Sequence, residues 1–211
     1  NTGTTISGGT GAITISGTPA SGNTTAFSGV RFDAYSTLTT SGDLMLTGTN
    51  SVSSGNYPAV SIGYDLAGAG TSSNRVSLTV GGNLTINATG GTRALGISGT
   101  YTRVAVTGNI NITATSSSEV AMWLYGTSQL TSSAGTLTIN ATASGASGEG
   151  LYLDASSLIS SYGAADITAT TASTYALYLN ASSIIRSTNS TLGLTAKTSN
   201  TYGGIYMAGS S

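Results

Sequence analysis

The phrase Gly82-Asn-Leu-Thr-Ile-Asn-Ala-Thr89 returns along the chain and decides the fold. Three further copies read Gly108-Asn-Ile-Asn-Ile-Thr-Ala-Thr115, Gly135-Thr-Leu-Thr-Ile-Asn-Ala-Thr142 and Gly163-Ala-Ala-Asp-Ile-Thr-Ala-Thr170. The four glycines are spaced 26, 27 and 28 residues apart, and degenerate copies begin at Gly11, Gly42 and Ser190. A period of this length is typical of solenoids, in which stacked units bury one continuous core.

Apolar and polar residues alternate within each copy. In the first copy one face carries Leu84, Ile86 and Ala88, and the other face carries Thr85, Asn87 and Thr89. A period of two predicts a strand with one buried face. A second alternating run, such as Leu151-Tyr-Leu153, and a looser third run, such as Val104-Ala-Val106, complete each repeat.

Three short strands per repeat, with no segment of helical period, predict an all-β protein. We expect a single-stranded right-handed parallel β-helix (β-solenoid) of about seven rungs with uncapped ends, forming one domain over residues 1–211. Gly82, Gly108, Gly135 and Gly163 are expected to supply a positive φ at the corners. The longer spacing of 40 between Gly42 and Gly82 predicts a loop near residues 63–75, either a solvated insertion or a variable binding surface.

Two other structural interpretations remain open. A Gly/Ser/Thr-rich chain is also compatible with disorder, and short strands at regular spacing also occur in antiparallel sandwiches and barrels. The match in sequence between copies favours stacking of like on like, because a sandwich does not require the same phrase at every turn.

The composition argues against several classes of function. The chain has 6 basic and 7 acidic residues, a net charge of −1, no His and no Cys. We therefore expect no nucleic-acid partner, no thiol chemistry and no metal or other cofactor. The lack of an 18-residue apolar run predicts no membrane insertion, and the absence of a start Met or leader suggests a mature or excised segment.

Catalysis is not expected either. Glycoside hydrolysis generally needs two carboxylates a few ångströms apart, but the acidic residues are scattered about one per repeat. Glu149 and Asp154 are the pair that is close in sequence, and we interpret them as a solvated pair flanking a turn. The sequence therefore predicts a protein that is not an enzyme, with no catalytic residues.

Two columns of outward side chains are predicted. In the second strand the outward positions are Arg31, Ser61, Gly96, Trp123, Tyr152, Tyr178 and Tyr206. The last four form either a stabilising ladder of stacked rings or an exposed stripe that contacts sugars or other fibres. In the first strand a column rich in Thr and Asn is either a polar ladder or, as a weaker alternative, an ice-binding face.

The two ends of the sequence look complementary, because the end matches the start of a repeat and the beginning supplies the missing part. End-to-end stacking is therefore expected to use Ile6, Ile13, Ile15, Ile205 and Met207, with the same chain as partner. The continuation is either covalent, in a longer polypeptide, or non-covalent. Sequons, which arise from composition or mark glycosylation, stand at Asn23, Asn83, Asn87, Asn111, Asn140, Asn180 and Asn189.

The Gly-Asn-Leu-Thr-Ile-Asn-Ala-Thr phrase and the Ala-Ser-Ser-Leu-Ile-Ser-Ser linker at residues 155–161 resemble repeats of filamentous-haemagglutinin-like exoproteins and other large bacterial adhesins. The resemblance implies a secreted β-helical shaft at a bacterial cell surface. We expect a structural subunit of an extracellular fibre or adhesin. The alternative is a carbohydrate- or surface-binding module that uses the aromatic stripe.

Overall fold

The computed structural model describes residues 4–19, 27–52, 57–63 and 75–209, and it contains 21 short strands. The first seven are β1 (Thr5–Ser7), β2 (Ile13–Gly17), β3 (Val30–Phe32), β4 (Thr37–Thr40), β5 (Leu44–Asn50), β6 (Pro58–Ile62) and β7 (Ser77–Val80). The next seven are β8 (Leu84–Gly90), β9 (Arg93–Ser98), β10 (Arg103–Val106), β11 (Ile110–Ser116), β12 (Met122–Tyr125), β13 (Gln129–Ser132) and β14 (Leu137–Ala143). The last seven are β15 (Leu151–Leu153), β16 (Leu158–Ser161), β17 (Ala165–Thr171), β18 (Leu177–Leu179), β19 (Ile184–Ser187), β20 (Leu192–Thr198) and β21 (Ile205–Met207).

Every third strand joins the same sheet, which makes the molecule a β-solenoid of three parallel sheets. Sheet A runs in order from β1 to β19, sheet B from β2 to β20 and sheet C from β3 to β21, with seven strands each. All the strand pairs are parallel, for example β8 with β11 and β11 with β14. The predicted all-β solenoid with three strands per repeat is confirmed, and no described residue is helical.

The repeated phrase forms sheet B in the register that the sequence predicts. Leu84 pairs with Ile110, which pairs with Leu137, and all three side chains are buried. Leu, Ile and Val side chains from the three sheets meet in one hydrophobic core along the axis. Because like residues lie above like, each layer packs against the next without a change of shape.

The corner glycines between sheets A and B do not have the predicted positive φ. They are required because the layers approach closely there: a Cβ on Gly135 would lie 2.3 Å from the carbonyl carbon of Gly108, and one on Gly108 would lie 2.7 Å from the carbonyl oxygen of Gly82. Asparagine side chains also link successive layers at this corner by hydrogen bonds to the backbone of the next layer. The Asn83 Oδ1 accepts from the Asn109 N–H at 2.9 Å, and the Asn109 Oδ1 accepts from the Thr136 N–H at 2.9 Å.

Positive φ occurs instead at the corner between sheets C and A. Ala155 and Ser156 have φ of 53° and 61°, and Ala181 and Ser182, one layer further on, have 48° and 59°. Left-handed backbone at residues other than glycine costs free energy, so the surrounding hydrogen bonds must hold it. One of these bonds runs from the Ser156 N–H to the Ala181 carbonyl oxygen, at 2.8 Å.

Two positions predicted to point outward in sheet C are buried. Ser61 is fully buried, and Gly96 is buried because the ring of Pro58 covers it, so that a Cβ on Gly96 would lie 2.7 Å from Pro58 Cγ. The outward column of sheet C is therefore closed to solvent at these two layers.

The loop expected near residues 63–75 falls mostly outside the described residues, which stop at Gly63 and resume at Arg75. On either side of it, β6 and β7 take consecutive places in the order of the solenoid, since β6 pairs with β9 and β7 with β10. The register of the sheets therefore runs past this insertion without a break. In the part of the chain that the structure describes, no helix is long and apolar enough to cross a membrane.

Both terminal layers have one open side. In the described residues, β1, β2 and β3 pair only with the following layer, and β19, β20 and β21 pair only with the preceding one. The apolar columns are consequently uncovered there: Ile6 is 38% exposed, Ile205 43% and Met207 76%, while Ile13 and Ile15 are half-buried. All five residues expected at the end-to-end contact lie in these two layers.

Candidate functional site

The aromatic column predicted in sheet C has the expected register. Trp123 pairs with Tyr152, Tyr152 with Tyr178, and Tyr178 with Tyr206, one residue per layer. Trp123, Tyr152 and Tyr178 are half-buried and Tyr206 is exposed. The period of the repeat thus brings these four side chains together on one face.

The three tyrosines form a ladder of stacked rings. The ring centroids of Tyr152 and Tyr178 are 5.0 Å apart, and those of Tyr178 and Tyr206 are 4.9 Å apart. Tyr175, which was not predicted, stacks on Tyr206 at 4.6 Å and also contacts the ring of Tyr202. Since stacked rings cover each other's faces, this part of the column supports the interpretation of a stabilising ladder.

Trp123 has different neighbours. Its ring is tilted against that of Tyr125, with centroids 5.4 Å apart, and Cζ of Arg93 lies 4.7 Å from its centroid. The Arg93 Nε also donates to the Glu119 Oε2 at 3.3 Å. Among the described residues, the ring contacts of the column run from Tyr152 to Tyr206, and none joins Trp123 to Tyr152.

The break in the ladder coincides with a cleft of about 290 Å³. The cleft is lined by Arg93, Val120, Trp123, Tyr125, Glu149, Tyr152 and Asp154. It therefore combines three aromatic rings with one basic and two acidic side chains, and all of its lining residues come from β9, β12 and β15 or the residues beside them.

Asp154 is held at the corner that follows β15. Its Oδ1 accepts from the Ala155 N–H at 2.7 Å and from the Asn180 Nδ2 at 3.1 Å, and its Oδ2 accepts from the Tyr152 hydroxyl at 2.9 Å. Burial, this hydrogen bond and the charge of Asp154 raise the pKa of Tyr152 well above its usual range. The hydroxyl therefore remains a donor to Asp154 at neutral pH.

The interpretation of Glu149 and Asp154 as a solvated pair flanking a turn is wrong. The two residues lie beyond opposite ends of the short strand β15, both are half-buried, and both line the cleft. Burial raises the pKa of Glu149 above its ordinary value, and a backbone hydrogen bond and the charge of Arg93 offset only part of this effect.

The polar face of sheet B has the predicted columns. Thr14, Met45, Thr85, Asn111, Thr138, Asp166 and Gly193 lie one above another. The column alternates residues of different size and polarity, so it does not form the regular grid of Thr side chains that the ice-binding alternative requires. The neighbouring column of Thr49, Thr89, Thr115, Thr142 and Thr170 is uninterrupted, so the choice between a polar ladder and an ice-binding face stays a prediction.

The sequon asparagines differ in exposure. Four are exposed and two are half-buried: the exposed ones are Asn83, Asn111, Asn140 and Asn189, and the half-buried ones are Asn87 and Asn180. The side-chain amides of Asn83 and Asn180 donate to Asp43 and Asp154. Asn23 lies outside the described residues. Glycosylation remains a prediction, with the four exposed asparagines as its accessible sites.

Several residues of the cleft were not predicted. Arg93 and Tyr125 lie outside the phrases that recur, whereas Val120 begins the second alternating run of its repeat. Among the described residues, no group of three or more acidic side chains could hold a metal ion. The period itself carried one usable signal, since Arg93 and Glu119 are 26 residues apart and therefore occupy adjacent layers. No protein-family model, curated protein or solved structure matches the chain.

Proposed function

We propose that this protein is a structural segment of an extracellular bacterial fibre or adhesin shaft, in which the solenoid continues beyond both terminal layers. The observation that carries the proposal is the exposure of the apolar columns at β1, β20 and β21, where each strand pairs on one edge only within the described residues. Open edges and uncovered cores are unfavourable in water and are normally capped or paired. The extracellular location rests on the resemblance of the repeats.

The two terminal layers are chemically compatible. If the first layer of a second copy follows the last layer of this one, sheet B brings Leu194 beside Ile15 of the second copy. In the same way, sheet A brings Ile185 beside Ile6. The small residues Ala196 and Gly17 then also meet. The same extension in sheet C brings Arg31 next to Tyr206, a cation and a ring of the kind that already pair at Arg93 and Trp123.

The work of such a segment is mechanical. Inside the solenoid each strand is hydrogen-bonded on both sides, and the outer surface is made mainly of Thr, Ser and Asn with few charges. The low charge avoids repulsion between layers along the axis. Stiffness, reach and resistance to proteolysis follow from continuous ladders of this kind.

Assembly of the 211-residue protein tests the non-covalent form of this proposal. We expect filaments in electron micrographs and concentration-dependent sedimentation, both abolished by Met207→Asp in the last layer. The matched control is Met45→Asp, because Met45 is 39% exposed on the side of sheet B rather than at an end. A protein that stays monomeric at millimolar concentration, or that loses assembly equally in both variants, contradicts end-to-end stacking of separate copies.

A further inference from the structure

The cleft beside Trp123 has the composition of a ligand site rather than of a structural gap. From its lining residues we infer that it binds a neutral sugar ring of an oligosaccharide. Small-ligand sites are concave, mostly aromatic or apolar, and carry a few polar groups that fix orientation. The cleft has this character at about 290 Å³, close to the lower end of the usual range of roughly 300–1,000 Å³.

Aromatic faces are available in the cleft and not elsewhere in the column. Tyr178 is stacked on both sides, by Tyr152 and by Tyr206. The ring of Tyr152 is stacked on one face only, by Tyr178. Its other face lies toward the layer of Trp123, and among the described residues the rings of Tyr152 and Trp123 make no contact. The apolar C–H face of a sugar ring therefore finds an uncovered aromatic surface at this layer.

The polar groups of the cleft both donate and accept. Arg93 supplies N–H donors and is held in place by Glu119, while Glu149 and Asp154 supply carboxylate acceptors. Three hydrogen bonds fix the Asp154 carboxylate. The hydroxyl groups of a sugar ring can each donate and accept a hydrogen bond, so they suit a cleft that offers both donors and acceptors.

The same mixture argues against charged ligands. A cation in the cleft is repelled by the guanidinium of Arg93, which already occupies the face of the Trp123 ring that a cation would bind. An anion in the cleft is repelled by the carboxylates of Glu149 and Asp154. The neutral saccharide is thus the class that avoids repulsion from either sign of charge.

Trp123 is the single tryptophan of the protein, so its fluorescence reports on the cleft directly. The probes are the hexasaccharides of β-1,4-linked glucose, xylose and N-acetylglucosamine and of α-1,4-linked glucose, each titrated to about 10 mM. We expect a saturable change of emission with at least one of them. The change should be insensitive to NaCl, because no net charge is transferred.

Two matched variants separate the cleft from the ladder. Tyr152→Ala, which removes the uncovered face, should weaken binding at least about tenfold, whereas Tyr206→Ala, at the open end of the ladder, should leave it unchanged. Circular dichroism checks that both variants keep the fold. The inference is overturned if no hexasaccharide changes the emission, if both variants bind equally, or if the emission responds saturably only to tetramethylammonium or poly-lysine.

Discussion

The ring of Tyr178 lies between those of Tyr152 and Tyr206, with centroid separations of 5.0 and 4.9 Å and interplanar angles of 28° and 30°. The three residues are also register partners in β15, β18 and β21. Stacking of the backbone thus brings identical side chains into contact. The ladder is a direct consequence of the sequence period.

Removing the middle ring should destabilise the fold. Tyr178→Ala loses two stacked contacts, each worth ~0.5–1.5 kcal/mol, so we expect a loss of about 1–3 kcal/mol in the free energy of unfolding. Chemical denaturation followed by circular dichroism measures it. Tyr162→Ala, at an exposed tyrosine outside the column, should cost less than about 0.5 kcal/mol, and equal losses in the two variants would mean that the ladder adds no stability.

The close approach of layers at the corner between sheets A and B gives a second prediction. A methyl group at Gly135 meets the backbone of Gly108 at 2.3 Å, and backbone atoms cannot move aside as a flexible side chain does. Gly135→Ala should therefore lower the stability by ~1–3 kcal/mol or more.

The control for this change is Gly11→Ala, since a Cβ at Gly11 has no neighbour within 4 Å. That variant should be neutral or slightly stabilised, because alanine reduces the entropy of the unfolded chain. Thermal unfolding of both variants checks the prediction. A Gly135→Ala protein as stable as the parent would show that the layers are further apart at this corner.

Stability should depend on pH through Glu149. Its pKa in the folded protein is raised above 4.5 by burial, so the neutral form is favoured in the fold. The contribution of Glu149 to the free energy of unfolding is complete below pH 4.5, and it is lost as the pH rises through the raised pKa of the folded state.

The glutamine side chain of Glu149→Gln is uncharged at every pH, so the variant does not lose stability in this way. The difference in melting temperature, variant minus parent, should therefore increase between pH 4 and pH 7. Differential scanning calorimetry at several pH values in this range measures it. A difference that is constant or that falls as the pH rises would contradict the assignment of a carboxylate whose pKa is raised by burial.

The period of the sequence was sufficient to predict the sheets and the columns. Spacings of 26 and 29 residues place Leu84 beside Ile110 and Trp123 beside Tyr152, as the structure has them. The conformation of the corners was not predictable in this way. A glycine that avoids a clash with the next layer and a glycine with positive φ look the same in a sequence. Most of the described left-handed residues at the corner between sheets C and A are not glycines.

The cleft was predicted only in part. Trp123 and Tyr152 belong to the recurring pattern, but the direction of each ring depends on neighbours that do not recur. Arg93 draws Trp123 to one side through its contact with the ring, and Asp154 holds Tyr152 by its hydroxyl. A break in a ladder therefore arises from single charged residues, which an analysis of periodicity averages out.

The proposed fibre requires the solenoid to continue across its two open ends, whether through one polypeptide or two. The most direct test is a tandem of two copies joined from Ser211 to Asn1, imaged by electron microscopy and compared with the single chain. With seven strands per sheet and about 4.8 Å per layer, we expect one unbroken rod of about 67 Å, twice the length of a single copy. Two separate particles on a flexible joint would contradict it.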